Sequence, residues 1–544
     1  MTTKLEDANF GNSSSSHSIA SYRKFMKLRL RHLSFKKATR VALMELHMDY
    51  PTLIAYGEIS LLLRERGILP IGHKAILEFK FFSKFMYRFH KLISVDKGLK
   101  YPFYIFKSFG IKKFINPTLT LKYHFKVKKL TQEMSQISHK DSLLKLQAFG
   151  ITFGDLFYDW HMNQRKLGTI EINSPELRRD LSRFLRAVAY WDSYFEKKNI
   201  YGVFVSHTCY SQGIISRMAL KYKVKSFQIT ADRMYQLSSK EPFADREFLE
   251  YDKNLLSQFG YQIDLNRAKE RLERIRAGDK NVDAAHSLVS GYSGLETRMV
   301  LSNSNDVKCL ITAHCFSDAP HAFGNQLLPD YFEWFKFILE KSRGTEYEWY
   351  VRAHPAFSKD DVRIFDQIIA EYPHVTNLNL ETSVPELIRQ GVNVVFTSHG
   401  TVGFEAALEG ALVIGGTQNA GFRNYSFVKV PKSTNELSDM IDGLPDLLKN
   451  LRNVETEIFH YYDLHHLRSE QSWLFKELYS EFIKQVGGLR AQFTNVATFD
   501  FWLQNSSSTA QLNILKEEIG NFVDSETYFY KYISPATQSQ ESRN

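Results

Sequence analysis

The chain is 544 residues long, with 43% hydrophobic and 14% aromatic residues and a formal net charge of +10. That length exceeds what one hydrophobic core usually serves, and the composition excludes a disordered chain, so two or more globular domains are expected. The three cysteines, Cys209, Cys309 and Cys315, form no CxxC pair, which argues against a disulfide framework and structural zinc and fits a reducing cytoplasm.

No run approaches the ~18 apolar residues of a transmembrane helix. Residues 1–16 are polar and Ser-rich without an apolar core, so no secretory signal is expected and the chain is placed in the cytoplasm. Residues 1–20 and 534–544 are read as loose tails. The stretch 21–129 carries much of the positive charge, with Lys and Arg interleaved among aromatics: Tyr22, Arg23, Lys24, Phe25, Lys27, Arg29 and Arg31, then Phe79 to Phe89. Peripheral contact with the inner, anionic face of a membrane is one reading, and a solvated face over an aromatic core is the other. Nucleic acid is not among the expected partners.

Further along, residues 181–197 have helical spacing, 202–206 read as a strand, 212–222 as a helix and 224–229 as a strand. Residues 264–300 are polar and helical, with an inter-domain linker placed near 291–301. The pattern then becomes regular. Strands are expected at 307–313, 347–353, 375–380, 392–397 and 412–415. Helices are expected at 330–341, 360–372, 384–390 and from 402. After Lys432 the chain is mainly helical to about residue 484. Such βαβα alternation implies α/β domains with parallel sheets and helices on both faces. The division expected is 21–295, 296–452 and a helical segment 453–533.

Doubly wound sheets hold ligands beyond the carboxyl ends of their strands. Four loops there carry chemistry. In Arg352-Ala353-His354-Pro355, Arg352 offers a planar phosphate clamp, His354 a further donor, and Pro355 ends the strand. From Thr397 to Glu405, small residues around Gly400 let the backbone approach a ligand. Thr397, Ser398 and Thr401 offer hydroxyls, His399 lies among them, and Glu405 is placed for ribose hydroxyls. The same residues also read as a helix N-cap. His314, Asp318 and His321 lie in one loop, but His-x3-Asp-x2-His is no standard metal spacing, so polar contact to a sugar or phosphate is preferred. Asp155, Asp159 and His207 are candidate bases in the N-terminal half, with helix capping and surface pairing as the plainer reading of the two carboxylates. No Asp-x-Asp loop is seen, and Asp360-Asp361 reads as N-cap charge, so neither metal nor cofactor is expected.

Over residues 151–432 the chain resembles bacterial capsule and surface-polysaccharide biosynthesis proteins. The resemblance rests on Gly154-Asp155-Leu156-Phe157-Tyr158-Asp159, Ser206-His207 with Tyr210 and Gly213, His314 with Asp318 and His321, Arg352 with His354-Pro355, and Ser398-His399-Gly400-Thr401 with Glu405. The His-Pro pair followed by a Ser/Thr-rich loop is similar to that of capsule Kdo transferases and bacterial sialyltransferases. The resemblance implies a GT-B fold, two Rossmann-like domains with parallel sheets facing across a cleft plus C-terminal helices packing back across them. It implies a metal-independent inverting glycosyltransferase that uses a CMP-sugar such as CMP-Kdo. It also implies Asp155 as base, and Arg352, His354, Ser398 and Thr401 as donor contacts. Paired Ser or Ser-Thr is usual in those families where this chain has Ser398-His399-Gly400-Thr401, so a UDP-sugar stays open. The acceptor implied is a glycan or lipid-linked oligosaccharide. Two other functions fit the same loops: a teichoic-acid-type polyol-phosphate transferase using His207 and His354, and a non-catalytic glycan-binding or assembly protein.

Overall fold

Helix α1 (Ser13–His32) leads into strand β1 (Arg40–Glu45), helix α2 (Tyr50–Glu65) and strand β2 (Ile68–His73). The computed structural model describes residues 13–33, 38–47, 49–74, 104–115, 119–231, 234–238, 263–276, 298–323, 326–417, 425–467, 472–488, 491–525 and 529–530. Sequence periodicity misses β1, α2 and β2 for a physical reason. Helix α2 is buried at every position from Tyr50 to Leu63, so it has no polar stripe to set a 3.6-residue period. Asp49 caps it, accepting from the Thr52 N–H at 3.3 Å.

Helix α3 (Leu121–Met134) follows, then a short hairpin of β3 (Gln147–Ala148) and β4 (Ile151–Thr152). Helices α4 (Gly154–Arg165) and α5 (Pro175–Lys197) precede β5 (Ile200–Val205), α6 (Gly213–Lys221), β6 (Lys225–Ile229) and β7 (Met234–Leu237). The first sheet has the order β13-β7-β6-β5-β1-β2, where β13 is Phe529–Tyr530. Strands β2, β1, β5 and β6 are parallel, with Leu43 beside Ile71 on one side and Val203 on the other. β7 and β13 run antiparallel at the edge.

The second sheet is wholly parallel, in the order β10-β9-β8-β11-β12. Helix α7 (Leu265–Arg276) precedes it. Its strands are β8 (Lys308–Thr312), β9 (Glu348–Arg352), β10 (Val375–Leu378), β11 (Val392–Thr397) and β12 (Leu412–Gly415). Helices α8 (Tyr331–Ser342), α9 (Lys359–Ile369) and α10 (Val402–Leu408) cover it. Continuous apolar strands such as Cys309-Leu310-Ile311 are what burial on both faces demands. Ser358 and Asp361 form a capping box at α9, which accounts for the expected acidic charge there.

These are the two Rossmann-like α/β domains expected from the alternation. The last helices return to the first domain. In α11 (Tyr479–Val486), α12 (Ala497–Ser506) and α13 (Thr509–Asp524), Phe482, Phe499, Trp502 and Ile519 share one core with Tyr22, Met26 and Ile59. Trp473 Nε1 ties the approach by donating to the Thr230 carbonyl at 2.8 Å.

Three details differ from expectation. Residues 13–20 of the expected tail are helical, with Ile19 buried. Helix α7, expected in the first domain, buries Ala268, Leu272 and Ile275 in the core of the second. Helix α1 turns Tyr22 and Met26 inward and pairs Arg29 with Glu58, so its basic residues are not all a free surface. The aromatic run 79–89, most of the linker 291–301 and the tail 534–544 lie outside the described residues. Among the described residues, no helix is long and apolar enough to cross a membrane.

In each sheet the chain first builds to one side and then jumps to the other. The switch points lie between β1 and β5 and between β8 and β11. Ligand crevices in open parallel sheets form at such points.

Candidate functional site

At the first switch point, β1 ends in Glu45, which is buried, and β5 is followed by Ser206 and His207. The Ser206 N–H and Oγ–H both donate to Glu45 Oε2, at 2.7 and 2.8 Å. Ser206 Oγ is also 2.8 Å from His207 Nδ1. The serine hydrogen is committed to the carboxylate, so the ring must be the donor in that contact. This tautomer leaves Nε2 as the basic nitrogen of an exposed imidazole. His47, just past β1, faces His207 with ring centroids 5.6 Å apart.

The loop after β5 meets the second domain directly. Cys209 packs on Ala319 and Ala322, and the Tyr210 hydroxyl donates to Asp318 Oδ1 at 3.1 Å. Helix α4 completes this contact. Its start lies so close to the preceding turn that a Cβ on Gly154 would fall 2.1 Å from the Leu143 carbonyl oxygen. Asp155 is forked by Arg217, Nη1 to Oδ1 and Nη2 to Oδ2, both 2.6 Å. Burial would raise the Asp155 carboxyl, but Arg217 outweighs it and leaves it lowered. Asp159 reaches the second domain, with its Oδ1 2.5 Å from His321 Nδ1 and its Oδ2 accepting from the His321 N–H at 3.2 Å. Burial raises the Asp159 carboxyl to about 6 in spite of His321. The carboxylate in turn outweighs burial at His321 and raises that imidazole. Tyr158 and Thr169 donate to Asp330 Oδ2 at 2.6 and 2.5 Å, and Asp330 caps α8. The expected bases Asp155 and Asp159 are therefore committed to ion pairs, and His321 pairs with Asp159 across the domain boundary.

At the second switch point, His314 follows β8, Arg352 and His354 follow or end β9, and Ser398 and His399 follow β11. The rings of His354 and His399 lie 5.4 and 5.8 Å from that of His314, and the Tyr331 ring packs on His314 in a tilted contact at 4.5 Å. The Ala356 N–H donates to His354 Nδ1 at 3.1 Å, so that nitrogen keeps its lone pair and the proton sits on Nε2. Burial, reinforced by His314, holds His354 down at about 4, and burial holds His399 down at about 3. Arg352 is 6% exposed and donates to the Leu380 carbonyl at 3.2 Å. Burial pulls its guanidinium down to about 10, and Glu405 nearby opposes that fall. The side-chain oxygens of Ser398 and Tyr331 are buried without a hydrogen-bond partner among the described residues. A buried orphan hydroxyl costs about 1–3 kcal/mol, which a bound polar ligand would recover. Gly400 has φ +135 and open space around it. Thr401 is exposed, as is Pro355 at its turn.

Most donor-site residues expected from sequence thus gather at one end of the second sheet, while Asp318 and His321 belong to the domain contact. Sequence reasoning misses Glu45, His47 and Tyr331. The first two sit on an unrecognised strand, and Tyr331 reads only as part of an apolar helix stripe. Among the described residues, no group of three or more His, Cys, Asp or Glu is arranged to hold a metal ion.

No protein-family model and no curated protein matches the chain. Similarity is found among solved structures. One is Thermosulfurimonas dismutans KpsC, a beta Kdo 2,4 transferase, with 13% identity over 48% of this chain and 79% of that one and a TM-score of 0.29. A second is UDP-GlcNAc 2-epimerase from Neisseria meningitidis bound to UDP-GlcNAc, with 12% identity over 77% and 98% and a TM-score of 0.25. A third, described as trehalose-6-phosphate from E. coli bound with UDP-2-fluoro glucose, has 10% identity over 82% and 98% and a TM-score of 0.24.

Proposed function

We propose that the chain is an inverting glycosyltransferase, moving a sugar from a nucleotide-sugar to a hydroxyl of a surface-polysaccharide acceptor without a metal. The reading rests above all on the exposed His207 imidazole. A buried carboxylate backs it through Ser206, and its loop packs on the loop that follows β8 in the second domain. The acceptor oxygen attacks the anomeric carbon while the sugar–phosphate bond breaks and its electron pair leaves on phosphate. The acceptor proton passes to His207 Nε2, and the imidazolium is steadied through Ser206 by Glu45. On the donor side, Arg352, the Ser398 hydroxyl and the Nε2–H of His354 hold the departing phosphate. Asp155 and Asp159, committed to Arg217 and His321, fix the site's geometry rather than take the proton.

The segments 314–323, 352–358 and 397–405 contain one arginine, Arg352, and no lysine, and His321 is already paired with Asp159. With His354 and His399 held neutral, this favours a phosphate of low charge, hence a CMP-sugar such as CMP-Kdo, with a UDP-sugar as the alternative. Release of nucleotide from the donor should continue in excess EDTA. Activity that EDTA abolishes and Mn²⁺ restores contradicts the metal-free reading and redirects attention to Asp318 and His321.

A further inference from the structure

Helix α3 has two unlike sides. Tyr123, Val127, Leu130 and Met134 recur at helical spacing and pack into the first domain's core against α5. The Tyr123 hydroxyl lies 3.3 Å from both Asp192 and Glu196 of that helix. On the opposite side stand Leu121 and Phe125, one turn apart, 73% and 66% exposed. Lys122, Lys128 and Lys129 are exposed around them, while the Lys126 ammonium lies over the Phe149 ring, 4.5 Å from its centroid. The helix has a single acidic residue, Glu133, 3.7 Å from Lys129.

One exposed apolar residue needs no explanation, but a Leu–Phe ridge flanked by three lysines is the composition of a helix lying in a membrane interface. Lysines alone would serve any polyanion. The apolar ridge selects a partner with hydrocarbon directly beneath its phosphates. We propose that α3 docks the protein on an anionic lipid bilayer, with Leu121 and Phe125 entering the acyl boundary and the lysines at the headgroups. This places the membrane contact on α3 rather than on α1, whose inward face is committed to the core, and it is independent of the proposed activity.

The test is co-sedimentation of the full chain with phosphatidylcholine vesicles, with and without phosphatidylglycerol. Binding should require phosphatidylglycerol and weaken with salt. Leu121→Ser with Phe125→Ser should lower the partition coefficient about tenfold or more. Lys122→Gln with Lys129→Gln should lower it about fivefold per lysine. All four positions are exposed, so the melting temperature should hold in both variants, and it serves as the folding control. The proposal is overturned if the wild type ignores anionic vesicles or the serine variant binds as the wild type does. It is also overturned if Lys24→Gln with Lys27→Gln on α1 abolishes binding while the α3 variants retain it.

Discussion

His207→Ala should lower kcat by about 10²–10⁴-fold while leaving donor affinity near that of the wild type, because a general base acts in the transition state and does not hold the nucleotide. Glu45→Gln keeps the shape of the relay and removes its charge, so it should lower kcat less than His207→Ala does and leave donor affinity unchanged. Asp155→Asn should behave differently. It weakens the fork with Arg217, so its main effect should be a lower melting temperature. Single-turnover kinetics on the three variants separates these roles. Near-normal kcat in His207→Ala with loss in Asp155→Asn at unchanged stability would return the base role to Asp155.

Asp180→Ala should destabilise the first domain by about 3–5 kcal/mol, the usual cost of removing one partner from a buried charge cluster. Asp180 is 2% exposed, and its carboxylate takes His161 Nδ1 at 2.9 Å, Arg165 Nε at 2.6 Å and Arg183 Nη1 at 3.4 Å. His161 is itself buried beside Phe157 and would lose its charged partner. Burial alone would raise the Asp180 carboxyl, but the hydrogen bonds from His161 and Arg165 outweigh it and hold it at about 2. A carboxyl lowered on folding stabilises above its unfolded pKa, about 3.9, and that contribution disappears as pH falls toward the folded value. Chemical denaturation of wild type and variant across this acid range should therefore converge at its lower end. A constant difference would mean that the ionised carboxylate contributes little.

The second domain was legible because its strands are short apolar runs and its helices amphipathic, so the loops of His314, Arg352, His354 and Ser398 could be placed at strand ends from spacing alone. The first domain was less so. β1 is too short to show a pattern beside the basic aromatic stretch, and α2 is buried on every side, which hides both Glu45 and His47. Without the β1–β5 pairing, nothing in the sequence distinguishes Ser206-His207 as a backed imidazole, and Asp155 ranks ahead of it. The pairing of Asp159 with His321 spans 162 residues and is set by domain packing, which local pattern does not encode. Arg217, which closes off Asp155, reads from sequence as one more basic residue in a helix.

The cluster of Arg352, His354 and Ser398 is proposed to hold a nucleotide-sugar, and thermal unfolding with CMP-, UDP- and CDP-linked donors on the wild type and Arg352→Ala tests this assignment. A donor at 100 times its Kd stabilises by about 2.7 kcal/mol. The expected result is a raised melting temperature with a CMP-sugar, or in the alternative a UDP-sugar, that is lost in Arg352→Ala while the unliganded variant still unfolds cooperatively. No shift with any donor, or an equal shift in Arg352→Ala, would contradict the assignment.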